Sequence, residues 1–264
     1  MTLHAKKSLG QNFLKSKKAI RSMIESSGLS PKDIVVEIGP GKGALTKPLL
    51  ETGATVIAFE LDERMIDYLN EIFADYITSK KLVLVHQDVL EADIFEYTQG
   101  QSYKLVANIP YYITNLILRT FLSNEHQPSL MCLLVQKEVA ERIVTRDGKE
   151  SILSLSVKLF GTPKYIMKVG RHYFSPSPRV DSAVILIEDI NRNVSKDLKF
   201  EDTFFEVVKI AFGQKRKKAI KNLQKLAEKK VWEQIFTECQ IDNNARAEDI
   251  PFELWIQIVD KYKK

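Results

Sequence analysis

Apolar residues recur along this chain in two different periods, and the switching between them outlines a fold. Ile34-Val35-Val36-Glu37-Ile38 and Thr55-Val56-Ile57-Ala58-Phe59 are short, nearly unbroken apolar runs rich in β-branched side chains. Such runs suit strands buried on both faces of a sheet. Leu82-Val83-Leu84-Val85-His86, Leu105-Val106-Ala107 and Leu130-Met131-Cys132-Leu133-Leu134-Val135 repeat the pattern, and residues 164–169 and 182–187 add two late strands. Helical periods fill the gaps: 17–27, 44–51, a stripe of Met65, Ile66, Leu69 and Ile72, and 137–144. Seven strands alternating with helices predict an α/β domain with a doubly wound, mostly parallel sheet.

After Ile187 the pattern changes. Residues 188–202 are polar and charged, and beyond them only helical spacings remain: Phe204, Val207, Val208 and Ala211; Ile220, Leu223 and Leu226; Trp232, Ile235 and Phe236; Phe252, Trp255, Ile256 and Val259. Each set marks one face of an amphipathic helix. The expected division is 1–190 for the α/β domain and 191–264 for a small all-helical one.

Charge adds what hydropathy does not. The net charge of +5 is modest, but residues 1–24 hold six cations (Lys6, Lys7, Lys15, Lys17, Lys18 and Arg21) and no acid. Residues 215–230 hold eight (Lys215, Arg216, Lys217, Lys218, Lys221, Lys225, Lys229 and Lys230) against Glu228 alone. Concentrated basic charge of this kind suits phosphate contact, which gives affinity without reading sequence; a solvated helical face is the bland alternative. Lys217, Lys221 and Lys225 are expected on one helical stripe, opposite Ile220, Leu223 and Leu226. No apolar run reaches the roughly 18 residues of a membrane span, and the first 14 residues do not read as a signal peptide, so a cytoplasmic protein without membrane contact is expected. Cys132 and Cys239 have no metal-type spacing, so neither zinc nor a disulfide is expected.

Candidate chemistry gathers where the strands end. In an open parallel sheet, ligands bind beyond the carboxyl ends of the strands, where the strand order reverses. Gly39-Pro40-Gly41-Lys42-Gly43 follows the first strand, Glu60 ends the second, Asp88 the third and Asn108 the fourth. Glycines let backbone approach a ligand and take left-handed conformations; Glu60 can accept two ribose hydroxyls, and Asp88 can hold an adenine edge. The glycine turn by itself also fits a dinucleotide fingerprint, so a nicotinamide oxidoreductase competes on this feature, whereas a Walker phosphate loop is excluded by the position of Lys42.

Asn108-Ile109-Pro110-Tyr111 points to amine chemistry. An exocyclic nitrogen conjugated with its ring is weakly nucleophilic, and two acceptors aimed at its hydrogens would localise its lone pair. The Asn108 side chain and the Ile109 carbonyl, the latter held by the rigid ring of Pro110, can supply them. Tyr111 offers a face for an extruded base. Phe174, in Phe174-Ser175-Pro176-Ser177-Pro178-Arg179, is a second aromatic able to close on that base, unless it packs in the core. In Gln11-Asn12-Phe13-Leu14 the amides are expected to face the ligand or to brace the loop.

Those motifs carry a family likeness. Gly10-Gln11-Asn12-Phe13-Leu14, the segment from Glu37-Ile38-Gly39-Pro40-Gly41 to Thr46, Asn108-Ile109-Pro110-Tyr111-Tyr112-Ile113, Gln136-Lys137-Glu138 to Arg142, and Phe174-Ser175-Pro176 with Val180-Asp181-Ser182-Ala183-Val184 occur in the order seen in rRNA adenine N6-dimethyltransferases. The chain resembles that family over nearly its whole length. The resemblance implies a class I Rossmann-like methyltransferase that uses S-adenosylmethionine. Its cofactor contacts would fall on Asn12, Leu14, Gly39, Gly41, Glu60, Asp88 and Asn108, and catalytic positioning on Asn108, Ile109, Pro110, Tyr111 and Phe174. Ala211-Phe212-Gly213-Gln214-Lys215-Arg216-Lys217-Lys218 with Arg246-Ala247-Glu248 is similar to the branch that dimethylates two adjacent adenines in a 3'-terminal hairpin of 16S rRNA during small-subunit biogenesis. That implies an immature ribosomal subunit as partner; the concentrated charge of Lys215, Arg216, Lys217, Lys218, Lys221 and Lys225 in the helical domain is expected to bind its rRNA, no metal is expected, and a monomer is the default. A 23S rRNA methyltransferase of the macrolide-resistance type and a non-catalytic assembly factor remain the alternatives.

Overall fold

The computed structural model describes residues 5, 6, 9–195 and 197–262. Its central feature is a seven-stranded sheet built from β2 (Ile34–Ile38), β3 (Thr55–Glu60), β4 (Leu82–His86), β5 (Tyr103–Asn108), β6 (Leu130–Gln136), β7 (Thr162–Val169) and β9 (Ser182–Glu188), in the order β4-β3-β2-β5-β6-β9-β7. β2 pairs in parallel with β3 on one side and β5 on the other, and β9 pairs antiparallel with both β6 and β7. The order therefore reverses between β2 and β5, where a ligand site is expected. The two remaining strands, β1 (Phe13–Leu14) and β8 (Phe174–Ser175), form a separate antiparallel ribbon.

Helices α1 (Lys17–Ser27), α2 (Thr46–Glu51), α3 (Glu63–Ile72), α4 (Ala74–Thr78), α5 (Ile94–Thr98), α6 (Thr114–Ser123) and α7 (Lys137–Ile143) connect these strands. α1 has a clear local origin. Ser16 caps it, its hydroxyl accepting from the Ala19 N–H at 3.2 Å, and Gly28 ends it at φ +52°. Between the caps, Ala19, Ile20 and Met23 are buried against a core that includes Val35, Leu49, Val106 and Val184.

The chain divides into two compact units, one of Met1–Ala140 with Thr162–Ile190, the other of Glu141–Gly161 with Asn191–Lys264. From sequence alone 141–161 falls in the first domain; in the structure its helix α8 (Ile152–Lys158) and the following turn belong with α9 (Leu198–Ala211), α10 (Ala219–Leu223), α11 (Lys229–Glu238) and α12 (Phe252–Tyr262). Two contacts explain this. Phe160 stacks on Phe205 with ring centroids 6.4 Å apart, and the Glu150 N–H donates to the Glu248 carbonyl at 2.8 Å. Phe200, Phe204, Trp232, Phe236 and Trp255 fill the helical core.

One core position breaks the apolar rule. Glu37, the polar residue inside β2, is 1% exposed, and its Oε2 has no hydrogen-bond partner among the described residues. Burial is the main cause, and the Glu60 charge a lesser one, that pushes its carboxyl up to about 8. A carboxyl whose folded pKa lies above the unfolded one binds its proton more tightly when folded. Its contribution to stability is therefore complete below the ordinary carboxylate range and is lost as pH rises towards 8. Glu37→Gln should thus stabilise the protein relative to wild type by an amount that grows from pH 5 to pH 8.5, by roughly 2 kcal/mol or more. Paired thermal melts across that range check this; a constant difference refutes it.

Candidate active site at the carboxyl ends of the strands

The ends of β2, β3, β4 and β5 enclose a cavity of about 300 Å³, within the range of small-molecule sites. Glu37, Gly39, Gly41, Glu60, Asp88 and Asn108 all border it, as do Asn12 and Leu14 from the N-terminal loop.

The glycine turn is shaped by backbone demands. Gly39 has φ +66° and its N–H donates to the Phe59 carbonyl at 2.9 Å, while a β-carbon placed there would meet nothing within 4 Å. Backbone and open space thus replace a side chain at the cavity wall, as close approach of a ligand requires. At Gly41, φ is +56° and a β-carbon would lie 3.0 Å from the Phe13 ring, so the glycine lets the N-terminal loop close on the turn. Lys42 stands 5.0 Å from the centroid of that ring, adding a cation–π contact at the same seam.

Glu60 is 6% exposed, and its carboxylate is held by three backbone N–H groups: Gly41 at 3.1 Å on Oε2, Leu61 and Asp62 at 2.9 Å each on Oε1. Burial outweighs those donors and keeps its pKa above the ordinary carboxylate value. A carboxylate has about four acceptor sites, so this anchored group keeps capacity for a hydroxyl. Asp88 Oδ1 accepts from the Leu90 N–H at 3.0 Å, which fixes the turn after β4.

At the end of β5, the Asn108 Nδ2 donates to the Asn12 carbonyl at 3.3 Å. That bond uses one of the two Nδ2 hydrogens, and Asn108 itself borders the cavity. Ile109 is buried, Pro110 has φ −56°, and Tyr111 opens the 3₁₀ turn Tyr111–Ile113. The Tyr111 hydroxyl and Ser182 Oγ are 2.6 Å apart, so the ring is fixed at both ends; burial raises the phenol's pKa. This arrangement can hold a planar amine: an amide oxygen, a stiffened main chain and a half-buried aromatic face meet at one wall.

Phe174 departs from expectation. Its ring is 4% exposed and sits in the hydrophobic core, and Ser175, not Phe174, borders the cavity. The reason is the short ribbon: Leu14 pairs with Phe174 and Phe13 with Ser175, and the Lys15 N–H donates to the Tyr173 carbonyl at 2.8 Å. Two-residue strands leave no periodic signal, so this pairing was invisible in the sequence. Two residues without a sequence-assigned role also stand at the site: Tyr112, quoted only within its motif, borders the cavity and is 65% exposed, and Asp62 bonds to Gln11 of the N-terminal loop.

The basic segment of the second unit is likewise not one helix. α10 covers only Ala219–Leu223, so Lys217, Lys221 and Lys225 do not share a helical stripe. Asn222 is buried instead, donating to the Ala211 and Gln214 carbonyls at 2.6 and 3.2 Å and tying down the turn between. Lys215, Arg216, Lys217, Lys218, Lys221 and Lys225 are all exposed, with Lys218 bonded to Asn244 Oδ1. Of the N-terminal cations, Lys7 lies outside the described residues. Among the described residues no group of three or more His, Cys, Asp or Glu is placed to hold a metal, and no helix is long and apolar enough to cross a membrane.

Comparison with known proteins identifies relatives by sequence and by fold. The "Ribosomal RNA small subunit methyltransferase A" of Dehalococcoides mccartyi (strain CBDB1) is 39% identical over 264 residues, covering 99% of this chain and 89% of the relative. The protein of that name from Fusobacterium nucleatum is 38% identical over 262 residues, covering 98% of each. Among solved structures, a dimethyladenosine transferase from Plasmodium falciparum matches with TM-score 0.71 at 26% identity, over 91% of this chain and 85% of that one. The 23S rRNA methyltransferase ErmE matches with TM-score 0.80 at 23% identity, over 96% of this chain and all of that one, which establishes a shared Rossmann-like fold. The model of the ribosomal RNA adenine dimethylase family matches residues 2–264, and the chain belongs to that family.

Proposed function

We propose that this protein dimethylates the exocyclic amines of two adjacent adenines in a 3'-terminal hairpin of 16S rRNA, with S-adenosylmethionine as methyl donor. Full-length relatives named as small-subunit rRNA methyltransferases support that substrate over 23S rRNA. The observation that supports the chemistry is Asn108: a side-chain amide at a strand end that borders the cavity and donates from Nδ2 to the Asn12 carbonyl, with Oδ1 proposed as the acceptor for the amine.

The residues present fit the cofactor. Gly39 and Gly41 leave the main chain uncovered for close approach, Glu60 is an anchored acceptor for ribose hydroxyls, and Asp88 stands where an adenine edge would rest. Asn12 and Leu14 would close the opposite wall. When bound, the cofactor supplies an electrophilic methyl on a sulfonium. Asn108 Oδ1 and the Ile109 carbonyl would accept the two amine hydrogens of an extruded adenine, directing its nitrogen lone pair at that methyl. Pro110 stiffens the carbonyl and Tyr111 stacks on the base. Positioning, with no strong base, supplies most of the acceleration. Phe174 acts in this reading through the core, by holding the β1–β8 ribbon.

Lys215, Arg216, Lys217, Lys218, Lys221 and Lys225 would contact rRNA phosphates. The substrate in this reading is an immature small subunit, met in the cytoplasm by a monomer.

Labelled methyl transfer to immature small subunits tests the activity. Asn108→Ala should lower the rate roughly a hundredfold or more while RNA binding persists; transfer to 23S rRNA instead, or binding of NAD in place of S-adenosylmethionine, refutes the assignment. Neutralising Lys217, Lys221 and Lys225 together should flatten the dependence of log affinity on log salt by about 2 units. An unchanged slope removes those residues from the RNA surface.

A further inference from the structure

Asp62 occupies the position of a helix cap without acting as one. It is the residue before α3, with extended φ and ψ of −92° and 103°, yet its side chain makes no cap hydrogen bond. An aspartate at that position ordinarily accepts from the helix's first free N–H groups. Here the carboxylate is turned away. Its side chain is fully buried, and it accepts four hydrogen bonds: Lys6 Nζ and Arg64 Nε on Oδ1, both at 3.0 Å, and Gln11 Nε2 at 3.1 Å with an Arg64 guanidinium nitrogen at 2.6 Å on Oδ2. The Arg64 guanidinium beside it, with Lys6 and Gln11, holds the carboxyl well below the usual range, so the group is anionic at any working pH.

Two of its partners come from the N-terminal loop, more than fifty positions away. Ahead of β1 the loop is otherwise held at Asn12, whose carbonyl accepts from Asn108 Nδ2, and by bonds within itself, the Leu9 and Gln11 N–H groups donating to the Lys6 carbonyl. Gln11 closes it internally, Oε1 accepting from the Lys6 N–H at 2.8 Å, and Gly10, at φ +61°, lies against the Tyr112 ring. Gln11, Asn12, Phe13 and Leu14 are one wall of the cavity. On its other side Asp62 is joined to the cavity's carboxylate, since its own N–H donates to Glu60 Oε1. A single buried charge therefore links the loop wall to the strand end that carries Glu60.

We infer that Asp62 is a positioning residue for the cofactor: by gripping Lys6 and Gln11 it seats the N-terminal wall against the nucleoside side of the pocket. It forgoes capping α3 to do so. The inference rests on the cofactor assignment above.

The test uses the full chain with S-adenosylhomocysteine as the titrated probe and methyl transfer to immature small subunits as the kinetic readout. Asp62→Asn should weaken probe binding about tenfold and raise the KM for S-adenosylmethionine similarly, with kcat at saturation and the KM for RNA within twofold of wild type. Lys6→Met should weaken binding in the wild-type background and add little in the Asp62→Asn background, because both changes release the same contact. Asp62→Asn that binds the probe as tightly as wild type, or additive effects of the two changes, overturns the inference. So does a loss of thermal stability accompanied by a fall in kcat with KM unchanged, which would make Asp62 a fold residue only. Wild-type protein that fails to bind the probe overturns the cofactor assignment itself, an outcome distinct from all of these.

Discussion

Parallel pairing on both sides of β2 is the constraint from which the site follows. Because β3 and β5 run in the same direction as β2 and lie on opposite sides of it, the chain must leave their common end in diverging directions, opening a crevice there. Every polar residue proposed to touch cofactor or base is at that end or on the loop that closes it. The register of the pairing matters too: Glu37 lies beside Ala58 and Ile38 beside Phe59, so Glu60 comes level with the glycine turn and can bind the Gly41 N–H.

Carboxylates at this end are handled in three ways, and the differences are electrostatic. Glu37 has no partner for one oxygen among the described residues, and burial favours its neutral form. Glu60 is buried but held by three main-chain N–H groups, which offset part of the desolvation. Asp62 is buried under two cationic side chains and stays charged. A neutral acid, an anchored acceptor and a fixed anion thus follow one another close to the cavity proposed to hold the cofactor.

In the proposed reaction Asn108 serves two purposes: its Nδ2 binds the Asn12 carbonyl in the loop beside the cavity, and its Oδ1 would accept from the substrate amine. Fixing the loop at Asn12 and orienting the amine would then share one side chain. An asparagine suits these two roles because it offers donor and acceptor together.

Sequence by itself determined the architecture and most of the cavity wall. Buried strands announce themselves by unbroken apolar runs, α1 by its helical period, and the strand-end residues Gly39, Glu60, Asp88 and Asn108 by their polarity after such runs. Tertiary structure alone decided the features made by distant partners. The β1–β8 ribbon turns Phe174 into the core, Phe160 and Glu150 draw 141–161 to the C-terminal helices, and Asn222 breaks the basic segment into turns. Asp62 binds Lys6 and Gln11 instead of capping its own helix. Periodicity reports what a segment buries, but a hydrogen bond or a ring contact between remote residues leaves no trace in either partner's local sequence.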